Sequence, residues 1–444
     1  MQSDTSWFGL RGLLIDAPEF GTLRGRPNGA LLIDNRKISD VGDYDDLRRL
    51  RPNIQWVDRR PAAIFPGLID CHTHLPQYSA VARGESELLP WLRQHIFPVE
   101  REFTGPKARS EAPQFFHELA RNGTTTVVAY AAIYEDSCDV GFEAARQSGV
   151  RTILGKMMMD LVSYGQVQPK KVLSISLLES ERLCRKWHRA ENGLLEYVFS
   201  PRFAVTCSEK MMRGAAELAA RFEAYLQTHL AENREELEKV HHLHMSARDY
   251  THVYEKCGLL TAHTVLGHCI HLNPREIAAI AAAQSSVAHC PSSNLFLGSG
   301  LMKLDQLLKA GINVGLGSDV AGGPELNMWQ VMRAAIEVQK ARTAYEPNLR
   351  PLRPSEAFYL ATHGGARALG KAKIIGTLDA GKEADLIVVD LPTLLPYANH
   401  NGLAKLAPED VVALCIYRGG PQANLETYVR GRRIYQAAKL AHQV

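Results

Sequence analysis

The chain has 444 residues, 45% of them hydrophobic, and a formal charge of only +3, enough for one large domain and a smaller one around a sizeable core. No Lys/Arg block is dense enough to follow a phosphate backbone, which argues against nucleic acid and anionic membranes as partners, and no apolar run reaches bilayer-spanning length. The eight cysteines are scattered without a Cys-x-x-Cys pair, the usage of reduced, buried thiols in a cytoplasmic protein, and the polar opening residues carry no signal-peptide pattern.

The first sixty or so residues read as short strands, Trp7 to Ile15, Gly29 to Asp34 and Ile54 to Asp58, separated by Pro, Gly and charged turns. Phe65 to Ile69 is a short buried strand that runs into His72 and His74. Helical spacing follows over Glu87 to His95 and Ser110 to Arg121, the latter closed by Asn122-Gly123. From Thr124 the chain alternates. Strands are expected at Thr124–Ala132, Arg151–Asp160, Glu196–Phe203, Tyr225–His229, Thr264–His268, Ser286–Cys290 and Ile312–Ser318, with helical segments between them. With Phe65–Ile69 that makes eight βα units. Such a pattern implies a parallel sheet, either closed as a (β/α)8 TIM-type barrel or open and doubly wound. Pro354 to Leu369 reads as a further helix, and Gly376–Asp390, Val411–Tyr417 and Glu426–Tyr435 as turns and strands. The fold class is therefore α/β: a barrel of residues 65–375 with a small β-sandwich domain formed by both chain ends, 1–64 and 376–444.

Strand side chains alternate, so His72 and His74 leave the first barrel strand on the same side and can share one ion. Neutral imidazole suits zinc or ferrous iron. In a barrel the reacting groups gather at the carboxyl ends of the strands, and there the sequence sets Arg202, His229, His268 and Asp319. Three histidines and an aspartate can hold one divalent ion and leave a position for water. Glu232, three residues past His229, can stand beside that water as a proton shuttle. Each residue has a plainer reading alone: Glu232 as an acid at a helix start, Asp319 as a turn cap, His268 as a core histidine, Arg202 as a surface ion-pair residue. Coincidence at successive strand ends favours the shared explanation. His241, His242 and His244 read as a solvated helix face, and His271 and His289 as packing residues.

The same residues lie in longer motifs. His74-Leu75-Pro76-Gln77-Tyr78-Ser79, Ser200-Pro201-Arg202-Phe203, His229-Leu230-Ala231-Glu232-Asn233, Ala288-His289-Cys290-Pro291-Ser292-Ser293-Asn294 and Gly317-Ser318-Asp319-Val320-Ala321-Gly322-Gly323 resemble the amidohydrolase superfamily and, within it, the guanine deaminases. Trp91-Leu92 with Phe97-Pro98, Asn122 to Thr126, and Gly155-Lys156 extend the likeness along the barrel. The resemblance implies zinc, one ion per subunit, held by His72, His74, His229 and Asp319, with Fe2+ as the other candidate. Glu232 would be the general acid/base, His268 would orient the hydroxide, and Asp319 would take part in catalysis. Gln77, Arg202 and Phe203, with His229 and Glu232, would bind a purine.

The activity so implied is hydrolysis of guanine to xanthine and ammonia in purine catabolism, by a homodimer with a small-molecule partner. Departures from the family pattern fall at the pocket mouth: Leu75-Pro76, Ala231, and the segment after Gly323. A pterin, 8-oxoguanine, cytosine or a triazine therefore remains an alternative substrate, and a catalytically silent scaffold a more distant one. A binuclear site would need a bridging lysine where Ser200-Pro201-Arg202-Phe203 stands, which argues for one metal.

Overall fold

Eight parallel strands, Leu68–His74, Thr124–Tyr130, Arg151–Gly155, Leu195–Pro201, Tyr225–Leu230, Thr264–His268, Ser286–His289 and Val314–Leu316, pair side by side in chain order. The computed structural model describes residues 7–84, 87–396 and 406–438; the opening residues 1–6, part of the stretch read above for a signal peptide, lie outside that set. Nearly every residue of these strands is buried, as expected of a parallel sheet covered by helices.

The eight strands nearly close into a TIM-type barrel. At the seam the backbone N–H of Asp319 donates to the carbonyl of His72 (2.8 Å), and Ser318 donates through its N–H and hydroxyl to the buried Asp70 carboxylate (3.0 and 2.5 Å). Glycines make room for the first strand here. A Cβ on Gly267 would lie 2.7 Å from the His72 ring and one on Gly317 2.8 Å from His72 Cβ, contacts that no larger residue could make without displacing that histidine.

Both chain ends enter one seven-stranded sheet. Leu386–Val389 runs antiparallel to Gln55–Pro66 (Leu386 opposite Pro66), the hairpin Asn424–Val429/Arg432–Gln436 continues on one side, and Phe8–Glu19, Thr22–Asp34 and Lys37–Asp43 follow on the other. The expected β-sandwich is thus a single hydrogen-bonded sheet that buries both faces. Period-2 alternation sorts them: Ala63, Phe65, Ile387 and Val389 join the barrel's core, while Ala62, Ile64, Leu386 and Val388 pack with Leu10, Leu31 and Ile38 in a separate cluster.

Some elements differ from expectation. Val411–Tyr417, read as a strand, lies in a helix, Pro408–Arg418. Its apolar run suits either structure, but Pro408 at the first turn, acidic Glu409 and Asp410, and burial of Val411, Val412, Cys415 and Ile416 are helical features. The single helix expected over Pro354–Leu369 is two, Pro354–Leu360 and His363–Ala368, broken at Thr362. The strand expected to Asp160 stops at Gly155, and Met157–Met158 pairs separately with the fourth strand. Glu87–His95 resolves into Leu88–Trp91, a π-turn Leu92–Ile96 and the helix Phe97–Glu102. A short helix, Tyr44–Leu50, capped by Asp43, was not expected. Among the described residues no helix is long and apolar enough to cross a membrane, and all eight cysteines are buried and free.

Candidate active site

The first strand ends in His72 and His74, whose Nε2 atoms lie 3.3 and 3.2 Å from the same Asp319 oxygen. The fifth strand delivers His229, with Nε2 3.2 Å from Nε2 of His74. One ligand atom from each of these four buried residues lies within 4.8 Å of the others. The protonation state suits metal binding. Burial holds the His229 pKa well below its usual value and lowers that of His74 to about 4, so both imidazoles are neutral near pH 7. Nδ1 of His229 lies 2.7 Å from the carbonyl oxygen of Arg202; a carbonyl only accepts, so Nδ1 carries the proton and Nε2 offers its lone pair. Burial alone would raise the Asp319 carboxyl, but the His72 and His74 imidazoles outweigh it and hold the group well below the usual range, ionised.

This donor set fits a divalent ion: three imidazoles and a carboxylate converge in a buried site, where Nε2 of His72 has no hydrogen-bond partner among the described residues and a cation would satisfy it. A second grouping, His72, His268, Cys290 and Asp319, also clusters, but burial pushes the Cys290 thiol far up and keeps it protonated, which makes it the poorer ligand.

Glu232 and His268 face the same space. Nε2 of His268 lies 3.5 Å from Glu232 Oε2 and 3.6 Å from Asp319 Oδ2, while its Nδ1 lies 2.9 Å from the amide oxygen of Asn294. Burial, followed by the charges of Asp319 and Glu236, raises the Glu232 carboxyl well above its ordinary value, favouring a group that can carry a proton near neutral pH. His268 and Asp319 both adopt positive φ (67° and 48°), a strained backbone of the kind found at functional sites.

These groups open onto a cavity that Gln77, Arg202 and Phe203 also line, bordered by Leu88, Trp91, Leu92 and Leu297. Every residue expected at the site from sequence is therefore here. His241 and His242 stand on an exposed helix face, His271 bonds the Ser299 carbonyl, and neither ring nitrogen of His289 is hydrogen-bonded among the described residues.

Two residues were missed. Glu100, wholly buried, accepts from both Gln77 (2.7 Å) and Arg202 (2.5 Å). Its one sequence signal is its place three residues after Phe97 on the buried face of a helix. Tyr130, the last residue of the second strand, stacks on the His74 ring at 4.6 Å and looked like ordinary strand core.

Barrel and site together define a class: TIM-type enzymes with a cluster of metal-capable side chains at the carboxyl ends of the strands. Within that class the chain belongs to the amidohydrolase family, whose sequence model matches residues 63–420. It is 36% identical to the guanine deaminase of Escherichia coli K12 over 430 residues, covering 95% of each chain. Among solved structures, the E. coli guanine deaminase superposes with a TM-score of 0.90 at 34% identity, covering 97% of this chain and 99% of that one. A guanine deaminase from C. acetobutylicum with guanine bound in its active site gives 0.89 at 29%, covering 97% and 100%.

Proposed function

We propose that this chain hydrolyses guanine to xanthine and ammonia. The observation that carries the reading is one cavity bordered both by the metal-capable cluster and by Gln77, Arg202 and Phe203, in a chain similar over nearly its whole length to guanine deaminases. We assign one zinc ion per chain to His72, His74, His229 and Asp319; this ligand set suits ferrous iron as well. Such an ion supplies a water acidified toward a pKa of about 7.

Glu232 takes a proton from the water and passes it to a ring nitrogen as the oxygen adds to the carbon bearing the amino group. It then returns the remaining hydroxyl proton to the exocyclic nitrogen. The carbon–nitrogen bond breaks, ammonia leaves and a carbonyl remains. His268, steadied through Nδ1 by Asn294, orients the attacking oxygen. Gln77 and Arg202 pair with the polar edges of the base and Phe203 contacts its ring; a polar edge left unpaired in so buried a site would cost affinity. Leu88, Trp91, Leu92 and Leu297 exclude bulk water.

Ammonia release from a panel of purines, pterins, pyrimidines and triazines, with metal analysis of the same sample, tests this reading. Guanine should be the best substrate of a preparation carrying one zinc per chain. A metal-loaded protein that releases ammonia faster from another heterocycle overturns the substrate; one that releases none overturns the activity.

The proposal extends to organisation. Residues 65–375 form the catalytic unit and 1–64 with 376–444 the β-domain, a division supported by the separate core cluster that the chain ends build on the outer face of their sheet. The homodimer rests on the family resemblance and is checked by light scattering. Cytoplasmic residence is supported by the free thiols.

A further inference from the structure

We propose that Glu100 is a positioning residue that fixes the hydrogen-bonding face shown to the base, and so selects an oxo-purine edge over an amino-purine edge. The inference rests on the purine-deaminase reading above and adds to it a residue outside the reacting groups.

The geometry is economical. Glu100 sits at 0% exposure on the helix Phe97–Glu102. Its Oε1 accepts from Nε2 of Gln77 (2.7 Å), in the 3-10 turn Leu75–Ala80 after the first strand, and its Oε2 from Nη1 of Arg202 (2.5 Å), just past the fourth strand. One carboxylate thus ties together two walls of the cavity. Phe97, one turn earlier on the same helix, lies 5.2 Å from the Arg202 guanidinium carbon, so the helix grips that side chain by face and by edge.

The Gln77 amide has its orientation forced. A carboxylate only accepts and a backbone N–H only donates. With Nε2 on Glu100 and Oε1 receiving the Ala321 N–H at 3.0 Å, the amide satisfies both partners one way round and neither the other way. One N–H and one oxygen lone pair are left for a ligand in a fixed order. Arg202 makes one side-chain hydrogen bond among the described residues, the one to Glu100. Arg202 lines the cavity, and its remaining N–H groups require acceptors, because a buried guanidinium with idle donors is costly. A ligand presenting a carbonyl oxygen satisfies them, and an exocyclic amino group in that place does not.

Replacing Glu100 by glutamine keeps the volume but gives the side chain a donor end. It cannot accept from both Gln77 and Arg202. Either the Gln77 amide turns over, inverting the pattern shown to the base, or Arg202 is released. Recognition suffers while the water, the shuttle and the metal ligands are untouched.

The test compares wild type with Glu100→Gln and Glu100→Asp, each metal-loaded. Asp keeps the charge beside Arg202 but is too short to reach both partners, so it serves where Gln does not fold. In each variant that folds, the expected result is a guanine KM raised about tenfold or more with kcat within about threefold, unchanged metal content, and collapse of the calorimetric preference for hypoxanthine over adenine. Glu100 is a merely structural residue, and the proposal falls, if KM and that preference stay within about twofold of wild type or if kcat alone declines. The hypoxanthine and adenine titrations need no turnover. Absence of guanine turnover in wild type would therefore defeat the assigned reaction and still leave the Glu100 comparison to be decided by binding.

Discussion

The carbonyl oxygen of Arg202 and Nδ1 of His229 lie 2.7 Å apart, so one residue sends its side chain to the substrate cavity and its backbone to a metal-capable histidine. The backbone contact fixes which imidazole nitrogen is bare. Register holds it in place: His229 N–H donates to the same Arg202 carbonyl at 3.1 Å, and Phe199 on the fourth strand pairs with Leu226 on the fifth.

From that arrangement, His229→Ala should bind little metal and release no ammonia. In wild type, chelation should abolish activity and lower the unfolding midpoint by a few degrees, because an ion present at about 100 times its dissociation constant stabilises the native state by about 2.7 kcal/mol. His229→Ala should show no chelator-dependent shift. Metal analysis and calorimetry read both; an alanine variant that keeps a full complement of zinc would remove His229 from the ligand set.

Glu232→Gln tests the proposed proton shuttle. The amide fills the same space and cannot carry a proton, so turnover should fall by about 10²–10⁴. Zinc content should be unchanged. Burial and the negative charges of Asp319 and Glu236 disfavour the ionised carboxyl, so the unfolding midpoint should hold or rise. A variant retaining a tenth of the wild-type rate would contradict the assigned role.

These residues were legible because each sits at a point the local pattern marks. His72 and His74 end an apolar run two apart, and His229, His268 and Asp319 follow runs of the same kind. Glu100 was not legible for the opposite reason. Its partner Arg202 lies far along the chain, and nothing local distinguishes a buried pairing acid from a solvated one. The Val411–Tyr417 run failed differently: seven apolar-rich residues carry either period, and packing on the barrel side of the sheet decides it.

Arg151 should prove a rivet between barrel and end sheet. It begins the third barrel strand, is buried, and its guanidinium meets Asp385 (2.9 and 3.1 Å) and Glu383, with Arg430 on the other side of Glu383 (2.9 Å). Arg151→Met strips a buried carboxylate of its cation, for which the expected cost is about 3–5 kcal/mol. Urea denaturation should show the loss, while kcat and KM per folded molecule stay near wild type because no group at the cavity changes. A midpoint within error of wild type would mean that Arg430, which also bonds Asp385 through its N–H (2.8 Å), supports the pair alone.

His289 should give the protein an acid-sensitive limb. It is buried on the seventh strand with neither ring nitrogen hydrogen-bonded among the described residues, and burial, reinforced by His268 and Arg342, lowers its pKa to about 3. In the unfolded chain it titrates near the ordinary value of about 6.5. Between these two values the unfolded state binds more protons, so stability is intact above about pH 6.5, drains away as the pH falls, and levels off near pH 3. At pH 5 the loss from this one group is about 2 kcal/mol. His289→Gln removes the titration, so urea midpoints measured at pH 7.5 and pH 5 should converge for the variant by that amount relative to wild type. Chelator in every sample makes the metal-site histidines contribute equally to both proteins. Parallel declines would show that the His289 imidazole is already protonated in the native fold or that its charge is answered from within the core.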